Sequence, residues 1–286
     1  MGVRLYGMTC GWLTMAFHFF LPGAQGWIAI PVPAYLITHP KGTVLFDTGL
    51  ETALQSKDAA TRDAAFGPSA GYALPTFEDG EDIASRLRAH GVDPDRIDYV
   101  INSHLHLDHC GGNAAIPNAR LVVQKREWEA GTVPELVQEN LYMPRQYDLG
   151  HDRLEVEGEH DLFGDGSVVL IPTHGHTPGH QSLRVKVRYG EVLLAADACY
   201  LRETLDRMAL PDAAVVRSAD AMRENYEFLK RAEQEGALLI FGHDPDQWRN
   251  LNNGPIEEIT STALLHARRI ARRNRPDTLI SPFSQA

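Results

Sequence analysis

The chain has 286 residues, 43% of them hydrophobic, and a formal net charge of −11, which suits one globular domain with a substantial core. The negative balance argues against nucleic acid or an anionic membrane as partner and favours a neutral or cationic substrate, unless bound metal reverses the local field. Three cysteines exclude a disulfide framework, and no apolar run approaches the ~20 residues of a membrane span.

At the N-terminus a single basic residue, Arg4, precedes the apolar stretch Trp12 to Leu21, which Thr14 and His18 interrupt. That is weaker than an export signal. It reads as a first strand followed by an apolar loop over about 10–30. With Cys10, Cys110 and Cys199 scattered and no CxxC, a reducing, cytoplasmic setting is expected. Ala34 to Ile37 and Thr43 to Phe46 read as strands around the turn His39-Pro40-Lys41-Gly42. Glu81 to His90 reads as a helix, with Ile83, Ala84 and Leu87 at helical spacing and Gly91 as its stop. Asp98 to Asn102 is a strand that leads into His104-Leu105-His106-Leu107-Asp108-His109.

Four residues of that hexad can bind metal, and imidazole with carboxylate suits zinc and similar divalent ions. Alternation sends His104 and His106 to one side and lets Asp108 and His109 diverge, so one hexad can serve two adjacent cations. Residues 127–161 are weakly patterned and read as a cap over the site. Val168 to Ile171 is a buried strand closed by Pro172. Leu183, Val185 and Val187 alternate with Arg184 and Lys186 in a strand with one wet face. Tyr189-Gly190 turns the chain into Val192 to Ala196. Ser218 caps a helix running to Glu235, with Met222, Tyr226 and Leu229 inward. Leu238 to Phe241 is the next strand, and a basic helical tail is expected over about 255–286. The mixture predicts a single α/β domain over 1–286.

Candidate ligands recur where strands end: Asp47, the hexad, the 174–180 run with His174, His176 and His180, then Asp197 and His243. Strand ends offer the rigid, convergent positions that a metal site requires. H-x-H-x-D-H at 104–109, G-H-T-P-G-H at 175–180, Asp197 and G-H at 242–243, in this order across roughly residues 30–245, resemble the metallo-β-lactamase superfamily. The resemblance implies an αββα sandwich, two mixed sheets with helices outside and the site on one edge. It places His104, His106 and His176 on one metal, Asp108, His109 and His243 on the second, and Asp197 on both. It makes zinc the default for the two divalent ions. His174 and His180 then act as supports, and Asp47 as an acceptor that orients a ligand.

Within the superfamily, S-H-L-H-L-D-H-C-G-G-N at 103–113, Tyr200 three residues after Asp197, and F-G-H-D-P-D-Q-W at 241–248 resemble the N-acyl-homoserine lactonases. The resemblance implies opening of a lactone ring by metal-activated water, with Tyr200 bonding the substrate carbonyl and Asp108 delivering a proton to the leaving alkoxide. It also implies a homodimer. Leu107 stands where some relatives carry phenylalanine, which bears on acyl-chain preference. A thioesterase, a lactonase for other lactones, or a non-catalytic metal-binding scaffold are the competing functions; all seven ligand positions are filled, which disfavours the scaffold. Phe17, Phe19, Phe20 and Trp27 form an aromatic cluster that reads as core packing, an acyl-chain wall or a dimer contact. Cys199 reads as a small apolar filler.

Overall fold

In the computed structural model, residues 2–251 and 256–260 are described. Their strands are β1 (Arg4–Ala16), β2 (Trp27–His39), β3 (Gly42–Phe46), β4 (Ala73–Thr76), β5 (Tyr99–Ile101), β6 (Arg120–Gln124) and β7 (Arg153–Val156). After these come β8 (His160–Asp161), β9 (Val168–Pro172), β10 (Gln181–Val187), β11 (Gly190–Leu194), β12 (Leu238–Ile240) and β13 (Ile256–Glu258). One sheet runs β13-β1-β2-β3-β5-β6-β7, with β4 also on β1, and the other runs β12-β11-β10-β9-β8.

Period-two alternation decides which layer each side chain enters. Val44, Phe46, Ile101 and Val122 leave the first sheet toward Leu170, Leu183, Val185 and Ile240 of the second. Their chain neighbours Leu45, Val100, Leu121 and Val123 face the other way, onto Ile83, Leu87 and Trp128. Each such fully buried aliphatic side chain contributes about 1.5–3 kcal/mol relative to exposure. On the far side, Met222, Tyr226 and Leu229 of the helix Ala219–Gln234 cover Val169, Ile171 and Leu193. Ser218 caps this helix by accepting from Ala221 N at 3.3 Å, and Asp82 caps Ile83–Ala89 by accepting from Ser85 N at 2.9 Å. The layers are helix, sheet, sheet, helix, as the sequence led us to expect.

The expected apolar loop over 10–30 is corrected. β1 continues to Ala16 and β2 begins at Trp27, so only 17–26 lies between them. The cause is a bulge: pairing with β2 shifts between Thr9 and Trp12, around Gly11 at φ 104°. A Cβ on Gly11 would sit 2.6 Å from Leu50 Cδ1, so this turn of the strand needs glycine. Beyond the bulge β1 pairs with β4 and carries Leu13 and Met15 toward the site.

The segment 127–161 is not a separate cap. It holds the end of the helix Lys125–Thr132, the helix Pro134–Glu139, the edge strand β7 and β8 of the other sheet. Its start and middle reach the site, through Glu127 beneath the ligand loops and through Asn140, Leu141 and Tyr142 beside His106 and the cavity. The expected helical tail is corrected at its start, where Ile256–Glu258 pair with β1 as a strand; the rest, from residue 261, lies outside the described residues. No described helix is long and apolar enough to cross a membrane.

Candidate metal centre

β3 and β5 are parallel neighbours, so Asp47 and the hexad leave the first sheet at one edge. β9, β11 and β12 share one direction in the second sheet, so the 173–180 run, Asp197 and His243 leave it together. The sandwich brings these exits face to face. His106 Nδ1 lies 2.9 Å from both His104 Nε2 and His176 Nε2, and the last two are 3.2 Å apart. Asp108, His109 and His243 form a second group, and His104, His109 and Asp197 a third, each compact enough to hold a metal ion.

Asp197 joins the groups. Its Oδ2 is 3.2 Å from His176 Nε2 and 3.8 Å from His104 Nε2. Its Oδ1 is 3.0 Å from His243 Nε2 and 3.3 Å from His109 Nε2. Asp108 Oδ2 stands 3.6 Å and 3.7 Å from the Nε2 atoms of His109 and His243.

The outer nitrogen of each imidazole fixes its tautomer. His106 Nε2 meets Asn140 O at 2.8 Å, His176 Nδ1 meets Val215 O at 2.8 Å and His243 Nδ1 meets Pro31 O at 2.8 Å. Carbonyls only accept, so those nitrogens carry the protons. His109 Nδ1 likewise donates to Asp47 Oδ2 at 2.9 Å. His104 Nδ1 donates to Ser103 Oγ at 3.0 Å, whose own proton goes to Asp47 Oδ2 at 2.8 Å. On His104, His106 and His176, which burial keeps neutral, every inward nitrogen is therefore a lone pair. His106 Nδ1 and His176 Nε2 point lone pairs at each other across 2.9 Å, and His109 Nε2 and Asp197 Oδ1 are buried without a hydrogen-bond partner. Acceptors facing acceptors in a dry site are unfavourable unless a cation sits among them. The donor set fits divalent ions.

The charges agree. Burial and neighbouring imidazoles hold His104 well below its ordinary value, burial does the same for His176, and burial takes His106 down to about 4. Burial also disfavours charge on His109 and His243, but Asp197 and Asp108 outweigh it and raise both. Burial would raise Asp197, yet the imidazoles of His243, His109 and His176 keep it well below the usual carboxylate range. The carboxylate between the groups is an anion.

Residues 27–243 match the family model of the metallo-beta-lactamase superfamily. The chain belongs to this superfamily. It is 33% identical over 262 residues to the N-acyl homoserine lactonase AttM of Azorhizobium caulinodans, covering 88% of this chain and 97% of that protein. It is 31% identical over 223 residues to an N-acyl homoserine lactonase of Bacillus thuringiensis, covering 76% and 83%. Among solved structures it is similar to an N-acyl homoserine lactone hydrolase with the product N-hexanoyl-L-homoserine at its catalytic metal centre. That match has TM-score 0.77 and 29% identity, over 91% of this chain and 100% of the other.

The supports of this superfamily site are now visible. Asp47, at φ 61°, accepts from Ser103 N at 2.7 Å as well as from His109. His180 does not join the cluster of inward lone pairs. Its Nδ1 donates to Thr173 O at 3.1 Å and its Nε2 accepts from the backbone N–H of Asp197 at 3.0 Å, which steadies Asp197. His174 belongs to none of the groups that could hold a metal among the described residues, and its carbonyl accepts from Asn225 Nδ2 at 2.7 Å. Burial pushes the Cys199 thiol up to about 12, so it is an inert filler.

A cavity of about 140 Å³ opens on the centre, with Met15, Phe19, Phe20, Phe66 and Tyr72 on its apolar side. Phe19 and Phe20 of the aromatic cluster thus form wall, while Phe17 packs against the same apolar group. Tyr200 lines the cavity too, packed edge-on by Phe20 at 5.1 Å. Its hydroxyl is 2.8 Å from His176 Nδ1. Three supports escaped the sequence reading. Glu127 is fully buried beneath the hexad, Asn113 and Asn102 bond each other and Asn102 holds His109 O, and Arg217 ties Asn140 and Glu139 at the cavity wall. Only Asn113 lies in a motif quoted above, at the end of 103–113, where its bond to Asn102 was not read.

Proposed function

We propose that the chain is a dinuclear-metal hydrolase that opens the lactone ring of N-acyl homoserine lactones. His104, His106 and His176 would hold one cation and Asp108, His109 and His243 the other, with Asp197 able to serve both. The observation that carries this reading is the split of Asp197, one oxygen toward each set of lone pairs. Zinc is the proposed metal, because imidazole and carboxylate donors suit it. Such a pair supplies water whose pKa falls from about 15.7 toward ~7 and polarises the carbonyl it meets.

The chain's own groups do the rest. Tyr200 O shares the Nδ1–H of His176 with Val215 O, so the phenol proton is not used on that nitrogen and can point into the cavity. Burial raises the Tyr200 pKa well above its ordinary value, so the proton stays and can be donated to the substrate carbonyl. Asp108 borders the cavity beside His109 and His243, in place to take the proton that the attacking water gives up and pass it to the departing alkoxide. The apolar wall of Phe19, Phe20 and Phe66 receives the acyl chain and keeps bulk water away. Cys10, Cys110 and Cys199 are all free and buried, which supports a reducing, cytoplasmic setting.

Acid release from homoserine lactones of graded acyl length, run beside thioesters of the same acids, tests the reading. Lactone turnover well above thioester turnover, with two metals per chain, is the expected result. Thioesters hydrolysed faster than every lactone would reverse it. Tyr200→Phe is expected to retain both metals and lose turnover by roughly tenfold or more; loss of metal in that variant would instead make the hydroxyl a support for His176. The homodimer is tested by sedimentation of the full chain.

A further inference from the structure

Glu127 has no exposed surface and sits in the helix Lys125–Thr132. Oε1 accepts from Leu105 N at 3.0 Å and from Tyr142 Oη; Oε2 accepts from Thr177 Oγ1 at 2.9 Å and from Gly179 N at 2.8 Å. The position of these donors in the chain is the point. Leu105 separates His104 from His106, and Thr177 follows His176. One carboxylate therefore fastens both loops that present the first set of imidazoles. The helix and the second loop meet backbone to backbone here, since a Cβ on Gly179 would lie 2.2 Å from Glu127 N. Of the second set, His109 is held by Asp47, which also steadies His104 through Ser103 Oγ, whereas Glu127 bonds only the loops of the first set.

We propose that Glu127 is a positioning residue for the His104–His106–His176 half of the centre, setting the spacing of its two loops. The proposal rests on the reading that these imidazoles hold a cation. Burying a carboxylate is costly, and burial raises the Glu127 pKa even against its four donors. A carboxylate accepts at both oxygens, whereas an amide accepts at one. Each Glu127 oxygen takes one backbone N–H, from Leu105 or from Gly179. In Glu127→Gln either orientation of the amide turns an NH2 group against one of these N–H groups, and one loop must shift.

Cobalt(II) titration of the full chain, read by visible absorption, resolves the binding steps of the two sites. His106→Ala identifies the step that belongs to the first half. Glu127→Gln is expected to weaken that step by about 10–100-fold, alter its absorption bands and leave the other step unchanged, with kcat reduced and KM preserved. Thr177→Val removes one donor but neither backbone bond, and should weaken the same step by less. Tyr142→Phe keeps the ring on His106 and both backbone bonds, and should change the step least. Equal weakening of both steps in Glu127→Gln, or a lowered unfolding midpoint with both steps intact, overturns the proposal. If Glu127→Gln does not fold, the Thr177→Val isotherm decides, and unchanged binding there overturns it. A wild-type chain that takes up fewer than two cobalt ions refutes the reading of the centre instead, whatever the variants do.

Discussion

Asp197→Ala is expected to leave the chain without either cation and without lactone turnover. The loss should exceed the roughly 100-fold cost of removing an outer partner of a ligand. The reason is arithmetic of charge as much as geometry. In the proposed centre two divalent ions would face five imidazoles, which are neutral as ligands, and, among the described residues, two carboxylates, Asp108 and Asp197. Asp197 is the one that addresses both halves, with Oδ2 at 3.2 Å from His176 Nε2 and Oδ1 at 3.0 Å from His243 Nε2. Asp197→Asn separates charge from shape. The amide keeps the side-chain volume and offers a donor to an imidazole lone pair, so the variant should fold well yet bind metal poorly. Metal analysis and turnover on the same samples check both. Two equivalents of metal in the Asn variant, or wild-type rates in the Ala variant, would be incompatible with the proposed centre.

The candidate ligands were legible because the chemistry is local: the hexad puts His104, His106, Asp108 and His109 within six residues, directly after a strand. His176, Asp197 and His243 were legible because each follows a short apolar strand that ends on the same edge. What orients them was not. His106, His176 and His243 are fixed by the carbonyls of Asn140, Val215 and Pro31, and a backbone acceptor has no residue type to read. Glu127 looked like any charge in a weakly patterned segment, because the partners that bury it lie 15 to 52 residues away. β1 was cut short in the sequence reading because the Gly11 bulge breaks the period of two and because its later half pairs on both edges, with β2 and β4. β13 is three residues long and mostly acidic; only its pairing with Tyr6, Gly7 and Met8 makes it a strand. Tertiary contacts, not propensity, decided each of these.

The second large effect is on stability. A ligand that binds only the folded chain stabilises it by about 4 kcal/mol when its free concentration is 1,000 times Kd. With two sites, and roughly 2 °C of midpoint per kcal/mol for a chain of this size, stripping the metals should lower the unfolding midpoint by at least ~10 °C. The lone pairs of His106 Nδ1 and His176 Nε2 would then face each other across 2.9 Å with nothing to reconcile them but a proton. Protons are a partial substitute. Asp197 and Asp108 outweigh burial to raise the pKa of His109 and His243, so the stripped protein binds protons that the loaded protein does not. A raised folded-state pKa stabilises below the unfolded value and ceases to do so as pH climbs past the folded one. The stripped form therefore gains relative to the loaded form in acid and loses in base. The gap between the two midpoints should widen as pH rises from mildly acidic to mildly alkaline. Calorimetry of loaded and chelator-treated protein across that range checks the size and the slope. Coincident transitions at neutral pH would mean that no cation is bound tightly enough to matter, and a gap that narrows with rising pH would mean that the imidazoles are not where the metal binds.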